Sequence, residues 1–473
     1  MIFTSIPFLV FLVLFFLLYW RLNRHWQNRL ILLGSYVFYG WWDWRFLSLI
    51  LFSSTVDYIA GLRMGSLQNR AERRRWLILS LICNLGLLGY FKYANYFIQS
   101  LVSLGGVFGV HVSVPVLQIV LPVGISFYTF QTLSYTIDVY RGRVTPRTSI
   151  VDFFGYVSFF PQLVAGPIER ADRLLPQFES ARRLDVDTAA DGARQILWGF
   201  VKKLVVADNL AVYVDQVYAS PDSGGGALAL ATFFFAFQIY CDFSGYSDIA
   251  IGTAKLLGFR LMRNFAYPYF ARNIKEFWGR WHISLSTWFR DYLYIPLGGN
   301  RKGMPRRVAN LLATFVVSGL WHGAGTKFVV WGLLHGLYYI PVTLRPQGHR
   351  GDSSRKRGDW FGCPRHLLGI LLTFFLVNIA WVFFRADTVP RALQILHRIF
   401  FHFNFAEIVN ADPFLLYAVL GLIVVEWLQR HKEHPMKVEW MPRPLRWVLC
   451  YVAFLLILGK GRFTNEPFIY FQF

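Results

Sequence analysis

The chain has 473 residues, of which 55% are hydrophobic and 16% charged, against roughly 25% charged in an ordinary soluble domain. A water-soluble globule of this size could not hide that composition without large exposed apolar patches, so bilayer hydrocarbon is its solvent. The net charge of +21 sits in short runs between apolar segments, as cytoplasmic loops require, and this distribution argues against a nucleic-acid-binding role.

A helix crossing ~30 Å of hydrocarbon needs about 20 mainly apolar residues. In chain order such segments fall at 2–20, 30–42 with 46–62 after it, 76–91, 116–137, 151–168, 227–254, 309–344 (long enough for two), 367–385, 413–429 and 445–459. The expected fold is an all-α polytopic membrane protein with about 10 to 12 crossings. Segments interrupted by Pro or Gly, such as Leu121–Pro122–Val123–Gly124, suit tilted, broken or re-entrant helices that line an enclosed cavity. No Lys or Arg precedes Arg21, and no small-residue cleavage site follows the first apolar run. Ile6 to Trp20 therefore reads as a membrane helix and not a signal peptide.

Arg21, Arg24 and Arg29 follow the first span, and Arg63, Arg70, Arg73, Arg74 and Arg75 follow the third. Both loops are expected in the cytoplasm, with the N-terminus outside. The basic connector 345–366 reads the same way. Between 169 and 225 charges interrupt the apolar pattern, and Lys202, Lys203 and Asp208 lie on a helical segment expected to rest along the interface. No internal repeat or soluble domain is visible, so 1–473 is expected to form one transmembrane domain. Cys83, Cys241, Cys363 and Cys450 show neither paired redox spacing nor a metal-ligand pattern.

Four stretches could carry chemistry. FWGRWHISLSTWFRDYLYIPLGGNR at 277–301 sets His282, Arg280, Arg290 and Asp291 among Trp278, Trp281, Trp288, Tyr292 and Tyr294. Ionisable groups at membrane depth need partners or a watery cavity, although an interfacial aromatic belt has the same composition. VSGLWHGAG at 317–325 places His322 after the apolar run Leu311–Leu320, between Trp321 and Gly323. Glycines nearby let backbone bend and a ligand approach; a histidine bonded to a neighbouring helix would look alike. His335 would fall on nearly the opposite face of a continuous helix and reads as a packing residue. His25, His349, His366, His431 and His434 fall in basic connectors and are expected to be solvated.

FQIYCDFSGYSD at 237–248 places Asp242 and Asp248 in an apolar segment, where structural ion pairs are the favoured reading. In FPQLVAGPIER at 160–170, Pro161 and Gly166–Pro167 break any helix, and Glu169–Arg170 mark an exit to water. That stretch fits either a substrate portal or a plain membrane-exit turn.

Taken in order, these segments resemble the membrane-bound O-acyltransferase family, closest to the bacterial branch typified by the membrane subunit of alginate O-acetyltransferase. The resemblance also rests on the opening IFTSIPFLVFL, on YFKYANYF at 90–97, on GISFYTFQTLSYTIDVYRG at 124–142 and on the terminal FIYFQF. It implies a ring of helices around a central tunnel, with the family's near-invariant histidine at His322 and its second functional position at His282. Trp281, Trp321, Arg290, Asp291, Gly166 and Pro167 are the candidates for lining or supporting that tunnel.

The implied activity moves an acetyl group from a cytosolic thioester, acetyl-CoA, to an exported polysaccharide such as alginate. It uses no permanently bound cofactor or metal, and a periplasmic partner completes delivery. The implied location is the bacterial inner membrane. Two rivals remain open: a flippase for a polyprenol-linked sugar, which predicts repeated halves, and a lipid O-acyltransferase, which needs a lateral opening.

Overall fold

The computed structural model describes residues 1–109, 117–164, 166–344, 364–409, 411–463 and 468–469, and among these every regular element is helical. The basic connector 345–366 and Cys363 lie outside the described residues, except for Pro364–His366 at the start of a helix.

The chain forms two compact units, Met1–Leu197 with Tyr246–Met262, and Trp198–Gly245 with Arg263–Phe473. The first holds α1 (Ile6–Tyr19), α2 (Arg24–Asp43), α3 (Leu47–Ser66), α4 (Arg70–Leu88), α5 (Ala94–Val107), α6 (Ile125–Tyr140), α7 (Ile150–Ser158), α8 (Phe160–Leu163), α9 (Ala171–Glu179) and most of α10 (Val186–Phe200). The second holds α11 (Asp208–Ala219), most of α12 (Gly225–Leu256), α13 (Ile274–Trp278), α14 (Ile283–Phe289), α15 (Gly303–His322), α16 (Thr326–Leu344), α17 (Pro364–Arg385), α18 (Val389–Phe401), α19 (Ala406–Val409), α20 (Pro413–Leu428) and α21 (Arg443–Lys460).

Among the described residues, four helical stretches are long and apolar enough to cross a membrane: Arg24–Ser66, Arg70–Val107, Gly225–Leu256 and Pro364–Arg385. The shorter helices Ile6–Tyr19, Ile150–Leu163 and Pro413–Leu428 are apolar too. Helix α1 exposes Ile6, Val13, Leu14 and Leu17 by more than half, as a lipid-facing helix does. The protein is a multi-pass, all-helical membrane protein.

In the first unit, polar side chains join helices where lipid offers no hydrophobic drive. The buried Asp57 of α3 accepts from Ser80 Oγ at 2.5 Å and Asn84 Nδ2 at 3.0 Å, both on α4. Ser80 in turn reaches Thr136 Oγ1 of α6 at 3.2 Å.

In the second unit the apolar run 309–344 resolves into α15 and α16, joined by Gly323–Gly325. The two helices pack backbone on backbone. A Cβ at Gly319 would strike the Phe328 carbonyl oxygen and lie 3.4 Å from the Gly332 Cα; one at Gly332 would strike the Phe315 carbonyl oxygen. Gly319→Ala is therefore expected to destabilise by about 1–3 kcal/mol, the usual cost of overpacking. Thermal unfolding in detergent measures this, and an unchanged midpoint would show that the helices can part freely.

Several charges read as water-facing are buried. Lys202, Lys203 and Asp208 are 3%, 2% and 2% exposed. Lys203 Nζ lies 2.7 Å from Asp208 Oδ1 and 2.8 Å from Asp242 Oδ1, so the ion pairing expected for Asp242 is present and removes the need for water. Asp248 accepts from Gln195 Nε2 at 2.8 Å. Glu169 does not mark an exit to water: it is buried and accepts the Met262 N–H, and burial pushes its carboxyl up to about 7. His434 is also buried, drawn inward with Met436 and Val438.

Candidate active site

Helix α15 ends on His322, which is 2% exposed. Its ring stands edge-on to two indoles, Trp321 at 5.0 Å and Trp331 at 4.9 Å between centroids, and 5.7 Å from Phe384.

His282 precedes α14 and is fully buried. Its backbone is left-handed, with φ 42° and ψ 54°, a conformation that side chains with a Cβ rarely adopt. Asn264 holds this turn in place. Its carbonyl accepts the Ile283 N–H at 2.9 Å, and its side-chain oxygen accepts from Ser284 N at 3.3 Å and Ser284 Oγ at 3.0 Å. Ser284 Oγ then lies 3.5 Å from His282 Nδ1. The two-residue step from Asn264 through Ser284 thus orients the imidazole. Phe243 of α12 meets the same ring edge-on at 4.6 Å, with Phe468 behind it at 5.5 Å. The Ile469 N–H next to Phe468 is held by Asp242 Oδ2 at 2.7 Å.

Trp321 connects the two histidines: its indole lies 5.0 Å from the His322 ring and 6.1 Å from that of His282. Trp281, 1% exposed, packs at 5.2 Å on Trp381, which stacks at 5.8 Å on Trp331. Trp281, His282, Trp321 and His322 therefore share one buried aromatic setting within the second unit.

His335 joins them. The helix is broken at 323–325, so the face expected for a continuous helix does not apply. His335 lies 4.9 Å from Trp331, against whose ring His322 also stands, and neither its ring nitrogens nor Trp331 Nε1 has a hydrogen-bond partner among the described residues.

Arg290 and Asp291 are not part of this setting. They pair with each other at 2.7 Å on a π-helical turn, Arg290–Tyr294, where the Arg290 side chain is 60% exposed. Gly166 and Pro167 are buried in the first unit, on non-helical backbone after the four-residue α8. A Cβ at Gly166 would strike Gln162.

Sequence reasoning missed Asn264, Phe243, Trp331 and Trp381. Trp331 and His335 are four apart on α16, a same-face spacing that could have been read. Nothing in the sequence marks Asn264, whose role arises only when its segment meets α14.

The family model for membrane-bound O-acyltransferases matches residues 145–344, which include both histidines. The probable alginate O-acetylase of Pseudomonas aeruginosa is 43% identical over 85% of this chain and 75% of its own length. The corresponding protein of Pseudomonas putida is 37% identical over the full length of both chains. The peptidoglycan O-acetyltransferase of Helicobacter pylori is 34% identical over 99% of this chain and 97% of its own.

Proposed function

This chain belongs to the membrane-bound O-acyltransferase family, and from that premise we propose that it takes acetyl groups from cytosolic acetyl-CoA for O-acetylation of an exported polysaccharide, in the inner membrane of a bacterium. The observation that carries this reading is the burial of His322 and His282 against one shared indole, Trp321. Full-length relatives that are named O-acetylases favour a transfer enzyme over a flippase. Alginate is the acceptor named for the first two relatives, and it is the acceptor we propose here.

An alcohol is a poor nucleophile at neutral pH, so transfer from a thioester needs a base at the hydroxyl. His322 accepts that proton as the hydroxyl oxygen attacks the thioester carbonyl. When the C–S bond breaks, the same proton passes to the departing thiolate. His282, held by Ser284 and Asn264, orients the acyl group or donates to the developing oxyanion in this reading. The aromatic surround excludes water, which would otherwise compete as acceptor and weaken each electrostatic interaction. The attacking hydroxyl belongs to a partner on the periplasmic side, which then passes the acetyl group from that ester to the polymer.

Inside-out membrane vesicles supplied with acetyl-labelled acetyl-CoA provide the test. Label is expected to leave the thioester only when the wild-type protein is present, and to appear in polymer when the periplasmic machinery is supplied. Label that stays on the thioester with the protein fully inserted would overturn the donor assignment.

A further inference from the structure

Apart from the histidines, the first unit has an open concavity of about 570 Å³ lined by Arg70, Arg73, Tyr140, Arg141 and Arg143. Two elements supply its guanidiniums: the first turn of α4 and the chain leaving α6. Arg73 is held in place, with Nη2 donating to the carbonyls of Val139 at 2.9 Å and Tyr140 at 3.1 Å. Its Cζ lies 5.8 Å from the Tyr140 ring centroid, while its buried Nε has no hydrogen-bond partner among the described residues. Asp138 approaches Arg143 at 3.8 Å, but the Arg143 side chain stays 62% exposed. The N-terminus of the 19-residue α4 opens at Arg70 and adds the positive end of its dipole.

Four guanidiniums gathered in one cavity repel one another, and an anion bound among them would relieve that repulsion. Guanidinium forks match phosphate oxygens in geometry, and Arg73 is fixed at the wall of the concavity by the Val139 and Tyr140 carbonyls. The positive-inside reading puts the Arg70–Arg75 segment on the cytoplasmic side, where a nucleotide thioester is found.

We propose that this concavity is a binding site for phosphate esters and that in the reaction it receives the phosphates of the acyl donor. The second half rests on the acetyl-CoA reading above. A phospholipid headgroup of the cytoplasmic leaflet offers the same chemistry, and the experiment separates the two sources.

The protein is reconstituted in phosphatidylcholine nanodiscs and titrated with free coenzyme A by calorimetry. Arg70→Gln/Arg143→Gln spares the Arg73 bonds that hold the end of α6; Arg73→Lys keeps charge but loses the fork. The double variant is expected to weaken coenzyme A binding about tenfold or more, as lost charge-assisted bonds do, and to flatten its salt dependence. Arg73→Lys is expected to weaken it less. In parallel, native mass spectrometry measures phosphatidylglycerol retained after extraction. Loss of retained lipid in the double variant, with coenzyme A binding unchanged or absent, would keep the site and remove the donor assignment. Unchanged behaviour in both arms overturns the proposal. Because free coenzyme A carries no acyl group, neither arm depends on His322.

Discussion

His322→Ala is expected to lower acetyl transfer by about a hundred- to ten-thousand-fold while leaving the protein folded and inserted, which is the usual loss when a general base is removed. The ring packs against Trp321, Trp331 and Phe384, so its removal should disturb packing more than topology. His322→Gln keeps polarity but accepts no proton at neutral pH, and should fail nearly as badly. His335→Ala should be milder: it loses contacts to Trp331 and Trp278 but removes no base from the proposed proton path. The readout is acetyl content of the exported polymer, with a blot for inserted protein. Wild-type acetylation by an inserted His322→Ala protein would remove the catalytic assignment.

Lys203→Ala is expected to have the largest effect on stability. It would leave Asp208 and Asp242 facing each other in a buried setting without the ammonium that lies 2.7 Å and 2.8 Å from them. Removing one partner of a buried ion pair costs about 3–5 kcal/mol. The damage should reach the active site as well, because Asp242 also holds Ile469, and Phe468 beside it supports Phe243 against His282. Neutralising the acids together with the base, as in Lys203→Met/Asp208→Asn/Asp242→Asn, should recover part of the stability, since the cost lies in the unpaired charge. Thermal unfolding of the single and triple variants measures both. A single variant as stable as wild type would mean that the carboxylates are neutralised by other means.

How much of this was legible in the sequence depended on which kind of signal was asked for. Apolar runs located α2, α3, α4, α12, α17, α20 and α21, because hydrocarbon imposes length and composition directly. The amphipathic α18 escaped because Arg391, His397 and Arg398 interrupt its apolar residues. His322 and His282 stand out as ionisable groups at membrane depth, Trp281 and Trp321 through the family resemblance, and the four lie together. Lys202, Lys203 and Asp208 depart from expectation because charge suggests water, whereas here Lys202 and Lys203 reach partners about forty residues away on α12 and Asp208 pairs with Lys203 itself. Arg290 and Asp291 fell within the right motif but on a turn that faces outward. Asn264 could not have been found, since its importance is a tertiary fact.

The left-handed backbone at His282 restricts what mutation can do there. A single-nucleotide change in a histidine codon gives Asn, Asp, Tyr, Gln, Leu, Pro or Arg. Of these, Asn and Asp enter the left-handed region most readily, while Pro cannot enter it at all. The one-step routes that best preserve the turn therefore lead to residues without an imidazole. A lineage that no longer needed the activity would be expected to keep a folded membrane protein with Asn at this position, so loss of function could spread without loss of expression.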